Sequence, residues 1–318
     1  MSQYFSSAVQ SEFTLAAFVD RYASHFGVSQ VFQVDAVGDL RRTGFIWSER
    51  PYTLCLAVNR KYIHHALGNT NIAGLVVHNR FAPDLRGCDG KLVICCEKPA
   101  ELFYALHNLA IHKPFSSPVT TESSIAGSAR VAASAIVHTS VTIGENVVVH
   151  DGVIIMPGTV IGAGCEIHPG VTLGTCGFFS KPVFGKKTQI NHFGGVIIGP
   201  NCIIHASSNI SRSVNHDERT QIAANVHMGI GVNVGHDCRV GEDTDISTRV
   251  VLAGRVNVGR RCWIGAGALI SNALTIGDDA DIKIGSVVVS DVGSADVVSG
   301  NFAVAHKQRL KEYLSKSK

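Results

Sequence analysis

The chain predicts a parallel β-helix preceded by a small α/β domain. Three observations carry that expectation. Branched aliphatic residues recur every six positions over most of residues 125–288, two polar interruptions break the run, and residues 1–117 lack the period altogether. A six-residue repeat is the mark of a solenoid with three short flat strands per coil of about 18 residues.

The period starts at Ile125 and runs through Val131, Val137, Ile143, Val149, Ile155, Ile161 and Ile167 to Leu173. It returns at Ile198, Ile204 and Ile210. It then runs from Ile222 through Met228, Val234, Val240, Ile246, Leu252, Val258, Ile264, Ile270, Ile276 and Ile282 to Val288. Those 24 turns make eight coils, each aliphatic pointing into the prism. The interruptions, residues 174–195 and 211–219, are polar, and the first is also glycine-rich. A solenoid carries its excursions on its surface, where function concentrates.

Before the repeat, Phe13 to Tyr22 reads as an amphipathic helix. Leu54–Val58, Leu75–Val77 and Leu92–Cys95 read as strands, and Pro99–Leu109 as a helix opened by its proline. Residues 114–121 (PFSSPVTT) read as a linker, so the domains are expected at 1–117 and 118–300. Residues 301–318 then read as a short basic helix.

Composition narrows the classes. Apolar residues make up 45% of the 318, and charged residues 17%, which excludes a disordered chain. No stretch of 18 uncharged apolar residues predicts a membrane span, and the start lacks the pattern of a signal peptide. A net charge of +3 gives no footprint for nucleic acid. Nine cysteines occur without a CxxC pair, so no zinc ribbon is expected. Cys165, Cys202, Cys238 and Cys262 each stand two residues before a repeat aliphatic, as small buried residues of a reducing cytoplasm would.

The motif with the most chemistry is VNVGHDC, Val232 to Cys238. Within the unbroken repeat it sets His236 beside Asp237. A free imidazole titrates near about 6.5, suited to general-base work near neutral pH. A carboxylate on its other ring nitrogen fixes the tautomer and stabilises the imidazolium. Asp237, Asp217 and Glu218 all qualify for that role, Glu218 because it precedes His236 by one 18-residue coil. One coil after His236 comes Gly254, where a bare backbone N–H admits close approach. Pointed at a developing oxyanion, such a donor is worth roughly 2.7–4 kcal/mol.

The repeat spacing resembles the hexapeptide acyltransferases, and that resemblance implies a left-handed coil. The order of parts resembles the UDP-3-O-acylglucosamine N-acyltransferase family of lipid A synthesis. LAVNRKY (Leu56–Tyr62) is similar to that family's uridine-binding segment, which implies Asn59 and Tyr62 as nucleotide contacts. Gly177–Phe178 and HFGGVIIG (His192–Gly199) resemble its loop and re-entry strand. VNVGHDC resembles the segment of its catalytic histidine, and SGNFAVAHKQRLK the lead into its terminal helix. The match implies His236 as base and Gly254 as oxyanion donor, with the carboxylate that partners His236 left open among Asp237, Asp217 and Glu218. It implies Gly177, Phe178, His192, Arg212 and Glu218 on the sugar nucleotide, and Asn272, Arg260, Arg261, Lys307 and Arg309 on the acyl donor.

Departures are specific. Gly229 stands where the family has a carboxylate, Ala273 where it has a second histidine, and Ser211 where an aspartate precedes the loop arginine. GHDCRVG, LAGRVNVG and WIGAGA resemble instead the N-acetyltransferases that modify amino-sugar nucleotides for surface glycans. Common to both is acyl transfer to a nucleotide-linked amino sugar. Either relative implies a cytoplasmic homotrimer using coenzyme A or acyl carrier protein thioesters, with no resident cofactor or metal. Two other readings are a non-catalytic sugar-nucleotide-binding trimer and a β-helix carbonic anhydrase. The latter needs histidines five residues apart, and His150, His168, His205, His227 and His236 give no such pair.

Overall fold

The computed structural model describes residues 15–32, 40, 42–85, 90–109, 123–216, 218–300, 307 and 315. They form two compact units. The first comprises residues 1–121 together with 178–194 and 214–218, and the second the remaining residues.

In the first unit, α1 (Leu15–Phe26) leads into β1 (Val28–Phe32), followed by β2 (Arg42–Gly44) and β3 (Thr53–Ala57). Then come α2 (Arg60–Gly68), β4 (Ile72–His78), a 3-10 turn (Asn79–Leu85), β5 (Leu92–Cys96) and α3 (Pro99–Leu109). The sheet order is β1-β5-β4-β3-β2, parallel except for β1. Alternate side chains go to opposite faces of a strand. Leu54, Val76, Ile94 and Cys96 therefore pack with Phe18 and Phe26 of α1 and Leu102 and Leu106 of α3. Cys55, Ala57, Leu75, Val77, Val93 and Cys95 pack with Ile63 and Ala66 of α2 and with the 3-10 turn. Both faces are covered, as a largely parallel sheet requires.

The three strands and the Pro99 helix foreseen in the sequence are present, with ends shifted by at most three residues. The expected start of the first helix, Phe13, lies outside the described residues; α1 extends to Phe26, four residues past Tyr22. The linker at 114–121 lies outside them, as does the terminal helix, apart from helical Lys307 and Ser315.

Both interruptions of the repeat were expected as excursions of the β-helix domain. Residues 178–194 and 214–218 instead pack with the first unit. The cause is apolar: Val183, Ile190 and Val214 join the cluster under α1 and α3. Asn191 N–H donates to Asn108 Oδ1 (3.0 Å), and Gly185 N–H to Glu101 Oε1 (2.6 Å). A hairpin, Ser180–Val183 with Lys186–Gln189, occupies the first loop.

The second unit is a parallel β-helix of three sheets with nine, eight and eight strands. Strands pair one coil apart, for example Val149 with Ile167 and Val234 with Leu252. The repeat aliphatics fill a single apolar cluster from Ile143 to Val288. The residue two before each also points inward, which is the slot Cys165, Cys202, Cys238 and Cys262 occupy. The first coil is open, with Ile125 exposed. The coil also continues past Val288. Val292 bridges Ile276, and Val298 pairs with Ile282, so the last coil is two residues short of the regular coils before it.

Most of the turns between strands hold one residue with left-handed backbone. Among these residues are Asn146, Gly152, Asn225, Gly231, Asp237, Asp243 and Gly267. Gly, Asn and Asp enter that region at least cost. No helix among the described residues is long and apolar enough to cross a membrane.

Candidate active site

His236 stands at a corner, two residues after the inward Val234 and one before the left-handed Asp237 (φ 60°). Its Nδ1 lies 2.7 Å from Asp237 Oδ2. The other carboxylate oxygen accepts from the hydroxyl of Ser213, and the Asp237 N–H donates to Thr220 Oγ1 (3.0 Å). A carboxylate oxygen accepts, so Nδ1 is the ring nitrogen that donates to Asp237. His236 and Asp237 side chains are 11% and 7% exposed, which shields the pair from competing water.

The imidazole lies over Gly254 of the next coil. A Cβ built at Gly254 would fall 2.6 Å from Nε2 and 2.7 Å from Cε1. The first demand for glycine at this position is thus the ring of His236 itself. Arg255 N–H donates to the His236 carbonyl (2.8 Å), locking one coil to the next. Among the described residues, Gly254 N–H donates to no backbone carbonyl. A Cβ at Gly235 would approach that nitrogen to 2.6 Å, so glycine there leaves it uncovered.

Cys238 adjoins the pair. Burial pushes its thiol up to about 12, and Sγ donates to Ala253 O (3.0 Å). It is a protonated packing group and not a nucleophile.

The other sequence-derived candidates are distributed over both units. Glu218, one of three carboxylates considered for His236, lies in the first unit and accepts from Ser48 Oγ (3.1 Å). Asp217 lies outside the described residues. Asn59 is the N-cap of α2, its Oδ1 accepting from Tyr62 N–H (2.8 Å). Tyr62 meets Trp47 edge-on, centroids 6.5 Å apart. Phe178 is 87% exposed, with Lys187 Nζ 5.9 Å from its ring centre. Gly177 is half-buried at the end of the preceding coil. His192 is buried, its Nδ1 3.0 Å from Ile190 O. Arg212 donates to Pro157 O (2.7 Å), and burial holds its guanidinium below the usual arginine range.

Asn272 and Arg260 are exposed on the late coils, and Lys307 is exposed beyond them. Arg261 makes a two-bond pair with Asp279 (2.7 and 2.8 Å). Arg309 lies outside the described residues.

Ser213 and Thr220 escaped the sequence reading. The inserted loop sets Ser213 24 residues before Asp237, where a search in steps of 18 does not look.

Two segments match known repeat families. Residues 140–175 match the bacterial transferase hexapeptide (six repeats), and residues 255–290 the hexapeptide repeat of succinyl-transferase. Both are hexapeptide repeat models, and with the three-sheet coil they agree with a left-handed parallel β-helix. No curated protein matches the chain significantly by sequence. Similar solved structures include the UDP-N-acetylglucosamine acyltransferase of Francisella novicida. It is 24% identical, covering 60% of this chain and 71% of that one, with a TM-score of 0.48. The Campylobacter jejuni enzyme of the same name is also 24% identical, covering 57% and 70%, with a TM-score of 0.48. The UDP-N-acetylglucosamine O-acyltransferase of Moraxella catarrhalis is 26% identical, covering 61% and 76%, with a TM-score of 0.43. At these identities and TM-scores, function has to be read from the residues themselves.

Proposed function

We propose that the protein is an N-acyltransferase. It moves an acyl group from a thioester of coenzyme A or acyl carrier protein to the amino group of a nucleotide-linked amino sugar, in lipid A or surface-glycan synthesis. The observation that carries this reading is the buried chain Ser213–Asp237–His236, with Nε2 over Gly254. His236 Nε2 takes the proton as the amine nitrogen attacks the thioester carbonyl. Asp237 stabilises the resulting imidazolium. The Gly254 N–H receives the oxyanion of the tetrahedral intermediate. As the C–S bond breaks, the imidazolium returns its proton to the leaving sulfur. The products are an amide and a free thiol, and no external oxidant or reductant is needed.

The first unit holds the nucleotide, with Tyr62 stacking on the base and Asn59 offering its amide nitrogen. Of the further sugar-nucleotide contacts that the resemblance implies, Phe178, His192 and Glu218 belong to the first unit, and Gly177 and Arg212 to the second. Arg260, Arg261 and Asn272, with Lys307 and Arg309, meet the phosphates of coenzyme A or the acidic face of a carrier protein. The working form is a cytoplasmic homotrimer, in keeping with symmetric closed assemblies.

A substrate panel tests the reading. UDP- and dTDP-linked sugars bearing a free amine or only hydroxyls are crossed with acetyl-CoA, hydroxyacyl-CoA and acyl carrier protein thioesters. Amide formation on an amino sugar, lost in His236→Ala, is the expected result. Ester formation on the hydroxyl sugars would change the acceptor and keep the base. No turnover with any pair would leave a sugar-nucleotide-binding protein. Light scattering that found an active monomer would remove the trimer.

A further inference from the structure

A second histidine–carboxylate cluster stands at another corner of the prism. His150 follows the strand Val148–Val149 and His168 follows Glu166–Ile167, both in the nine-stranded sheet. His236 follows Asn233–Val234 of an eight-stranded sheet. Because Val149 pairs with Ile167, the two histidines stack one coil apart, with ring centres 5.1 Å apart and 23° between planes. Glu166 and His168 are two residues apart on a strand and its extension, so they share the outward face. The ring of His205 continues the column, 4.5 Å from that of His168.

One carboxylate oxygen faces both rings. Glu166 Oε1 lies 2.9 Å from His150 Nε2 and 3.5 Å from His168 Nε2. Each of the three residues offers one ligand atom, and those atoms fall within 4.8 Å of one another. We propose that His150, Glu166 and His168 bind one divalent transition-metal ion of the zinc class. A tetrahedral ion with bonds of about 2.0–2.1 Å holds its ligand atoms roughly 3.3 Å apart. The two oxygen–nitrogen separations fall on either side of that value, so small rotations of the side chains close the set. Two imidazole nitrogens with one carboxylate favour zinc, cobalt, nickel or copper over magnesium and calcium, which prefer oxygen. The three side chains are 26–41% exposed, which gives an ion an entry path and leaves its fourth position to water.

This departs from the expectation of no metal, which looked for histidines five residues apart. On a stacked coil the relevant spacing is 18, and His150 and His168 have it. The ion would cross-link the coils on either side of it, close to the open first coil. Binding to the folded form alone raises stability.

The test uses the full-length, tag-free, chelator-stripped protein titrated with zinc sulfate by calorimetry, with melting curves alongside. The expected result is one saturable ion per chain and a higher Tm. Glu166→Gln and His168→Ala should each weaken binding roughly tenfold or more, since even outer-shell changes cost 10- to 100-fold. His236→Ala, at the other corner, should bind zinc as the wild type does. Absence of saturable binding, or binding unchanged in Glu166→Gln, overturns the site. The isosteric Glu166→Gln decides the matter should His168→Ala fail to fold.

Discussion

The histidine–carboxylate pairs at His236 and at His150 stand on the same coil architecture and differ in which ring nitrogen the carboxylate takes. At His236 the carboxylate holds Nδ1, which sends Nε2 over the bare backbone of Gly254. At His150 the carboxylate faces Nε2, the outer nitrogen, and shares it with a second ring. Burial separates them as well. The Asp237 carboxylate is enclosed and held by Ser213, while Glu166 is 41% exposed. An oriented, shielded base comes from the first arrangement, and a convergent, open donor set from the second. For Glu166 the hydrogen bond from His150 holds its carboxyl below the usual range, whereas burial lowers the His168 imidazole.

Removing the base is the most direct way to break this contrast. His236→Ala should lower turnover by roughly 10²–10⁴-fold, the scale for a positioned general base. Circular dichroism should be unchanged, because the neighbouring Val234 and Val240 are buried independently of the ring. A folded variant with wild-type turnover at neutral pH would make His236 a structural histidine of the coil corner.

Gly254→Ala keeps the N–H and adds a methyl 2.6 Å from Nε2, so the imidazole must move. A misplacement of about 1 Å costs on the order of 10²-fold. Turnover should fall on that scale with the melting temperature nearly unchanged, whereas unaltered turnover would show that the ring position is not the working one.

Ser213→Ala tests the support behind the carboxylate. Asp237 retains its bond to His236, so the expected loss is roughly three- to tenfold in kcat, the worth of one hydrogen bond. It should appear as a changed pH–rate profile with KM unchanged. A rise confined to KM would place Ser213 on substrate instead.

The smallest effect is expected from His168→Ala, which should leave acyl transfer at the wild-type rate. A parallel loss of turnover would merge the two corners into one functional unit.

Much of this was legible in the sequence because the inward slot of a β-helix accepts one residue class at a fixed interval. Ile143 to Val288 could be placed without any structure. Val292 and Val298 could not, since the step from Val288 is four residues and breaks the count. In the first unit α2 went unseen: Asn59 suggested a ligand contact, while its side-chain oxygen starts a helix. His236, Asp237 and Gly254 were visible because they are adjacent in sequence or one coil apart. Ser213 and the packing of residues 178–194 were not, because both depend on chain that leaves the repeat and folds back.

The shortened last coil bears on how the solenoid ends. A stack of identical coils finishes in open strand edges, and an open edge templates the next molecule. Here the closing coil advances 16 residues where its neighbours advance 18, as the Ile282–Val298 pairing shows. A second molecule docking a regular coil on that terminus would find its corners out of step with those beneath. The two missing residues thus oppose continuation of the last described coil by a regular one.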